Sequence, residues 1–140
     1  MKIVIVGEKG SPHALAGALE TGGASVERPP KSALGAAHDD QVGELAAALI
    51  AFERLFAADA PDAVLLVSTS NLALAAVLVA TKLQIPVAAL VDSARDEGRM
   101  SEDEGRMSEM NWRLIEQLAD GTVADDAGTI SASLRALVVG

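Results

Sequence analysis

Acid–base chemistry near neutral pH needs carboxylates or histidines held against a substrate, and this chain offers few in useful places. Asp92 follows the apolar run Val87 to Val91. It would therefore stand at the carboxyl end of a buried strand, where α/β sheets gather their ligands. It is the leading carboxylate candidate, with a solvated acid or a partner for Arg95 as the structural alternative. Gly7-Glu8-Lys9-Gly10-Ser11 follows a second apolar run, Ile3 to Val6. A glycine-bearing loop there could offer backbone amides and Lys9 to a phosphate. It matches neither the dinucleotide fingerprint nor the P-loop, Glu8 opposes an anion, and a tight turn uses glycine anyway. Ser68-Thr69-Ser70-Asn71 could donate hydroxyls and amides to an anion, or simply cap the helix behind it. No nucleophile, base and acid assemble into one set.

Composition narrows the chemistry further. There is no cysteine, and His13 and His38 stand far apart, so no zinc site, thiolate nucleophile or disulfide frame is expected. No cofactor motif is present. Twenty acidic residues against 11 basic ones give a net charge of −9, which repels a phosphate backbone and argues against nucleic acid. The apolar run at the start is too short for a signal peptide, and that from Leu72 to Thr81 falls short of the ~20 residues that span a bilayer. No membrane association and a cytoplasmic address are the expectation. Phe52, Phe56 and Trp112 are the whole aromatic set. The core must therefore come from Ala, Val, Leu and Ile, which suits thin helices laid on a sheet of branched residues.

These candidates need elements to position them. Buried strands are read at Ile3 to Val6, Ala24 to Glu27, Ala63 to Val67, Val87 to Val91 and Thr122 to Ala124. Between them fall helices from Ser11 to Leu19 and from an Asp39 or Asp40 cap through Val42, Leu45, Ala46, Leu49, Phe52 and Phe56. Others run from Asn71 to about Leu83, from Glu109 to Ala119, and through about Leu137. Residues 31–38 read as loop. The alternation defines a doubly wound, Rossmann-like or flavodoxin-like parallel sheet of five strands in order 2-1-3-4-5, one domain over residues 1–140. The helix beginning Leu72-Ala73-Leu74-Ala75-Ala76 is apolar all round. One side packs on the sheet, and the other needs either neighbouring helices, a second copy of the chain, or another protein. DEGRMSE occurs twice in tandem, at 96–102 and 103–109. With seven acids and three arginines from Asp92 to Glu109, the segment reads as a duplicated surface loop, or as an acidic lid or partner-binding segment.

Several of these pieces together resemble one family. Pro61-Asp62 opens a strand that ends at Ser68-Thr69-Ser70, and an alanine-rich helix follows. Ile85-Pro86-Val87 leads to Asp92-Ser93-Ala94-Arg95, and Ser108-Glu109-Met110-Asn111-Trp112 announces a helix closing in Ala119-Asp120. The pattern resembles the amino-terminal domain of the non-hydrolysing UDP-N-acetylglucosamine 2-epimerases, most clearly over residues 61–120. The resemblance implies an isomerase fold that meets a nucleotide-sugar, with Asp92 and Glu109 as the catalytic candidates. Gly7, Lys9, Ser68, Thr69, Ser70 and Arg95 are the substrate-binding candidates.

The same resemblance argues against turnover. The family's Gly-Asp-Thr falls on Ser68-Thr69-Ser70, and the first glutamate of its Pro-Glu-Glu falls on Ser108. Two of three carboxylates are thus hydroxyls, which have no pKa near 7. The third is the shorter Asp92, and the first-loop arginine is Lys9, which lacks the planar fork. The family holds its nucleotide between two domains, and the sequence ends about where the crossing to the second would fall. The expectation is a non-catalytic epimerase-like domain acting as a homodimer or with a partner protein. The alternatives are a nucleotide or nucleotide-sugar binder, or a partial epimerase completed by a second domain on a separate chain.

Overall fold

In a computed structural model of the chain, the described residues are 1–7, 19–20, 23–30, 40–90, 102–123 and 127–139. Five parallel strands, β1 (Lys2–Val6), β2 (Ser25–Glu27), β3 (Ala63–Leu66), β4 (Val87–Leu90) and β5 (Gly121–Val123), pair in the order β2-β1-β3-β4-β5. That is the expected order. Ile3 pairs with Ala63 and Val4 with Val64, while Leu66 pairs with Ala89. Strand residues point alternately to the two faces of the sheet, so each strand feeds two cores. Val4, Val6, Val64, Leu66, Val87 and Ala89 face one cluster. Ile3, Ile5, Leu65, Val67, Ala88 and Leu90 face the other. Both faces are covered, which is why these strands read as unbroken apolar runs.

Four helices are bounded within the described residues: α1 (Gln41–Ala58), α2 (Asn71–Lys82), α3 (Glu102–Leu118) and α4 (Ala127–Val139). Asp40 caps α1 by accepting from the Gly43 amide at 2.7 Å, and Ser70 caps α2 by accepting from the Ala73 amide at 3.3 Å. Helices α1, α2 and α3 build the first cluster with Phe52, Phe56, Trp112 and Ile115, and α4 joins the second with Ile130 and Leu134. Ala73, Ala75, Ala76 and Ala80 of α2 are wholly buried. Small side chains let α2 lie close between the sheet, α1 and α3.

Two aspartates of the resemblance have structural work at strand starts. Asp62 accepts from the Lys2 amide at 2.7 Å while its own amide donates to the Lys2 carbonyl. Asp120 accepts from the Val87 amide at 2.8 Å while its amide donates to the Val87 carbonyl. Each closes a two-bond ring that fixes where its neighbour begins, satisfying backbone groups the ladder leaves open.

Three sequence expectations are corrected here. Val42 does not face the core but is 77% exposed, because Ala48, Phe52 and Phe56 set the buried stripe of α1. The flanks of α2 are closed by α1 and α3 within the chain, so its all-round apolar surface does not itself require a partner. The polar stretch before Glu109 is not all loop: α3 starts at Glu102 and takes in the second heptad. The first heptad, Glu102 apart, lies outside the described residues. The helix was hidden because its early inward positions, Ser108 and Asn111, are polar, and apolar periodicity cannot register them.

Candidate functional site

The carboxyl ends of β1 and β3 meet where the chain order switches sides, the expected place for a ligand in this sheet. Gly7 leaves β1 with φ of 124°, a conformation open to glycine. A Cβ there would sit 2.8 Å from Ser68 Oγ and 2.9 Å from Val67 Cγ2, so β1 and the β3 turn touch through the missing side chain. Ser68 Oγ lies 3.0 Å from Ser70 Oγ. Ser70 is the α2 cap, and Ser68 and Thr69 are both buried.

Thr69 is the centre of a buried polar chain. Its hydroxyl makes a short hydrogen bond to the hydroxyl of Ser108 on α3, with Thr69 4% and Ser108 6% exposed. Asn111, one turn further along α3 and 5% exposed, donates through Nδ2 to the Thr69 carbonyl at 2.9 Å and to Asn71 Oδ1 at 3.2 Å. Asn71 in turn donates to Gln41 Oε1 at 2.5 Å and to Glu44 Oε1 at 3.1 Å. The amino ends of α1 and α2 and the middle of α3 are thus tied by side-chain hydrogen bonds as well as by the apolar cluster. No buried side-chain atom of these residues is left without a hydrogen-bond partner, which is the condition for keeping polar groups in a core.

The chemistry of this cluster is limited by its groups. Thr69 and Ser108, the two positions where the resemblance places carboxylates, do converge. As hydroxyls they satisfy each other, and neither exchanges a proton near neutral pH. Among the described residues no group of acids or histidines could hold a metal ion. Glu109 pairs with Arg113 one turn on, at 3.7 Å, while its neighbour Ser108 is the residue that meets Thr69. Lys9, Asp92, Arg95, His13 and His38 lie outside the described residues.

Sequence reasoning passed over Arg28 and Asn111 as site residues, and offered Asn71 only as part of the turn that could meet an anion. Arg28 follows β2 directly, and its Nη2 donates to the Gly7 carbonyl at 3.5 Å. The rule that sends attention to strand carboxyl ends points to it, because it stands next to the last residue of β2. For Asn71 and Asn111 the available signal was their place in the matched motifs.

Fold and site together define a doubly wound α/β domain with two bonded hydroxyls beside the carboxyl end of β3. No family model matches the chain, and no curated protein matches it. Solved structures do. UDP-GlcNAc 2-epimerase from Methanocaldococcus jannaschii, in complex with UDP-GlcNAc and UDP, superposes with a TM-score of 0.70 at 20% identity over 99% of this chain. The S. aureus MnaA–UDP co-structure superposes with a TM-score of 0.65 at 19% identity over 94% of this chain. The glycosyltransferase SnogD from Streptomyces nogalater follows at 0.52 and 16% over 89%. The chain spans 43%, 40% and 44% of those three, about two-fifths of their length. The resemblance to an epimerase amino-terminal domain therefore holds for the whole chain as a fold. Among the described residues no helix is long and apolar enough to cross a membrane.

Proposed function

We propose that this chain is a non-catalytic, epimerase-like domain that acts in the cytoplasm by association, as a homodimer. The observation that carries the first half is the Thr69–Ser108 pair. Two hydroxyls bonded to one another occupy the positions where an epimerase of this resemblance has carboxylates. Neither can take a proton from a sugar carbon at neutral pH. Association is supported by a groove of about 310 Å³ between α1 and α2, lined by Leu49, Ile50, Leu78 and Leu83. Ile50 and Leu83 are exposed there. Glu53 and Lys82 line the same groove, and neither forms an ion pair with a described residue. A two-fold axis through the groove would set the Glu53 of one copy against the Lys82 of the other, as self-complementary interfaces do.

Two measurements test this reading. Purified protein given UDP-N-acetylglucosamine should return it unchanged, and interconversion at an enzymatic rate would overturn the first half. Sedimentation at micromolar concentration should give a dimer that Ile50→Glu converts to a folded monomer, whose melting temperature no longer depends on protein concentration. A monomeric wild type would remove the homodimer and leave a different protein, or a separate second domain, as the partner.

A second reading, binding of a nucleotide-sugar without turnover, is favoured by the site's place at the β1/β3 switch and by the bound ligands of the Methanocaldococcus jannaschii structure. Ser68 and Ser70, with Lys9 and Arg95, would then face the ligand. A thermal shift with UDP checks it, and no shift across a panel of nucleotides and nucleotide-sugars would remove it.

A further inference from the structure

Among the described residues, Arg28 carries the buried side-chain nitrogen that finds no hydrogen-bond partner. Its carboxyl-edge position beside Gly7 is set by the β1–β2 pairing, in which Val4 stands opposite Glu27. The residue is only partly exposed, and its Nε is fully buried with no hydrogen-bond partner. Its one hydrogen bond to a described residue is the long one from Nη2 to the Gly7 carbonyl. No described carboxylate forms an ion pair with it. That is unusual in a chain with 20 acids and 11 bases, where acidic partners are in surplus. Lys2, for comparison, bonds both Asp59 and Glu27. A guanidinium carries five donors and a permanent charge, and partial burial without an anion costs stability unless a partner arrives.

The surroundings point the same way. Gly7 and Ser68 lie at the β1/β3 switch, and Arg28 reaches Gly7 from the β2 side. From the described residues this corner receives an arginine and a serine hydroxyl but no carboxylate. We infer that Arg28 is the anchor of an anion subsite at the carboxyl edge of β2 and β1, taking a phosphate oxygen of a nucleoside diphosphate or its sugar ester. The inference rests on the ligand-binding reading above and gives that reading its charged contact. The fold supplies the guanidinium from the end of β2.

The test titrates the full chain with UDP, UMP, uridine and inorganic phosphate by calorimetry, beside Arg28→Gln and Arg28→Lys. The wild type should bind UDP more tightly than uridine. Arg28→Gln should weaken UDP roughly tenfold or more and leave uridine unchanged, as loss of a charge-assisted contact does. Arg28→Lys should fall between them, because charge survives and the fork does not. Without ligand, Arg28→Gln should melt at or above the wild-type temperature, since it removes a partly buried charge that no described carboxylate pairs. A clear fall in that temperature would assign Arg28 a structural role and overturn the proposal. Equal UDP affinity in wild type and Arg28→Gln would overturn the subsite and leave ligand binding standing. A wild type that binds none of the four probes would overturn both.

Discussion

Replacing Asn111 by alanine removes the donor that serves two acceptors at once, the Thr69 carbonyl at 2.9 Å and Asn71 Oδ1 at 3.2 Å. Each lost bond is worth about 1 kcal/mol net, and a buried acceptor left without a donor costs about 1–3 kcal/mol. Thr69 and Asn71 are both buried, so water reaches neither easily. The expected loss is about 2–4 kcal/mol, a large share of the roughly 5–15 kcal/mol that holds a domain together. Trp112, the only tryptophan, is 4% exposed and adjacent, so its fluorescence reports unfolding from beside the perturbation. Urea titration should lower the midpoint and leave the slope unchanged. Asn111→Asp sharpens the test, because at neutral pH an acceptor-only carboxylate would face the Thr69 carbonyl and Asn71 Oδ1. It should be less stable than the alanine variant at pH 7. Its folded pKa would be raised above the ordinary Asp value of about 3.9. The penalty is then full above the raised folded value, shrinks as pH falls through that window, and is gone below the ordinary one. An alanine variant costing under about 1 kcal/mol would refute the claim that this polar chain ties α3 to the amino end of α2. So would an aspartate variant as stable as the wild type at pH 7.

Gly7→Ala should cost at least about 2 kcal/mol, because it forces a side chain both onto positive φ and into Ser68 and Val67. Chemical denaturation measures it, and a neutral substitution would show that the β1 end is not held as described. The Lys2 amine is held above its ordinary value of 10.5 chiefly by the hydrogen bond to Asp59, with Glu27 adding to it and burial opposing. Its stabilisation is therefore complete below 10.5 and is lost as pH climbs through the raised folded value. Lys2→Met should flatten the alkaline fall in melting temperature, and an unchanged alkaline limb would sink the assignment.

Much of the architecture was legible in the order of residues. The apolar runs of β1, β3 and β4 are each buried on both faces, so each had to read as a continuous stretch, and the spacing between them left room only for crossover helices. The Asp40 and Ser70 caps were legible too, because capping is a local property of a residue and the amide three positions on. The strand order came with the doubly wound fold class, and the side of the sheet to which each helix goes follows from that order and handedness.

What the order of residues could not show was which side chains touch across it. Thr69 and Ser108 stand 39 positions apart, and Asn111 is 42 positions from the carbonyl it serves. A motif match could mark them as corresponding positions, but only the folded chain brings the two hydroxyls into contact. The amino half of α3 escaped notice because its inward face is polar, and hydropathy registers apolar positions alone. The cover over α2 depends on where α1 and α3 come to lie, a matter of tertiary packing that helix periodicity does not contain. Arg28 directly follows β2 in sequence; that its Nε is buried without a hydrogen-bond partner is a property of the space around it, which exists only after the sheet has formed.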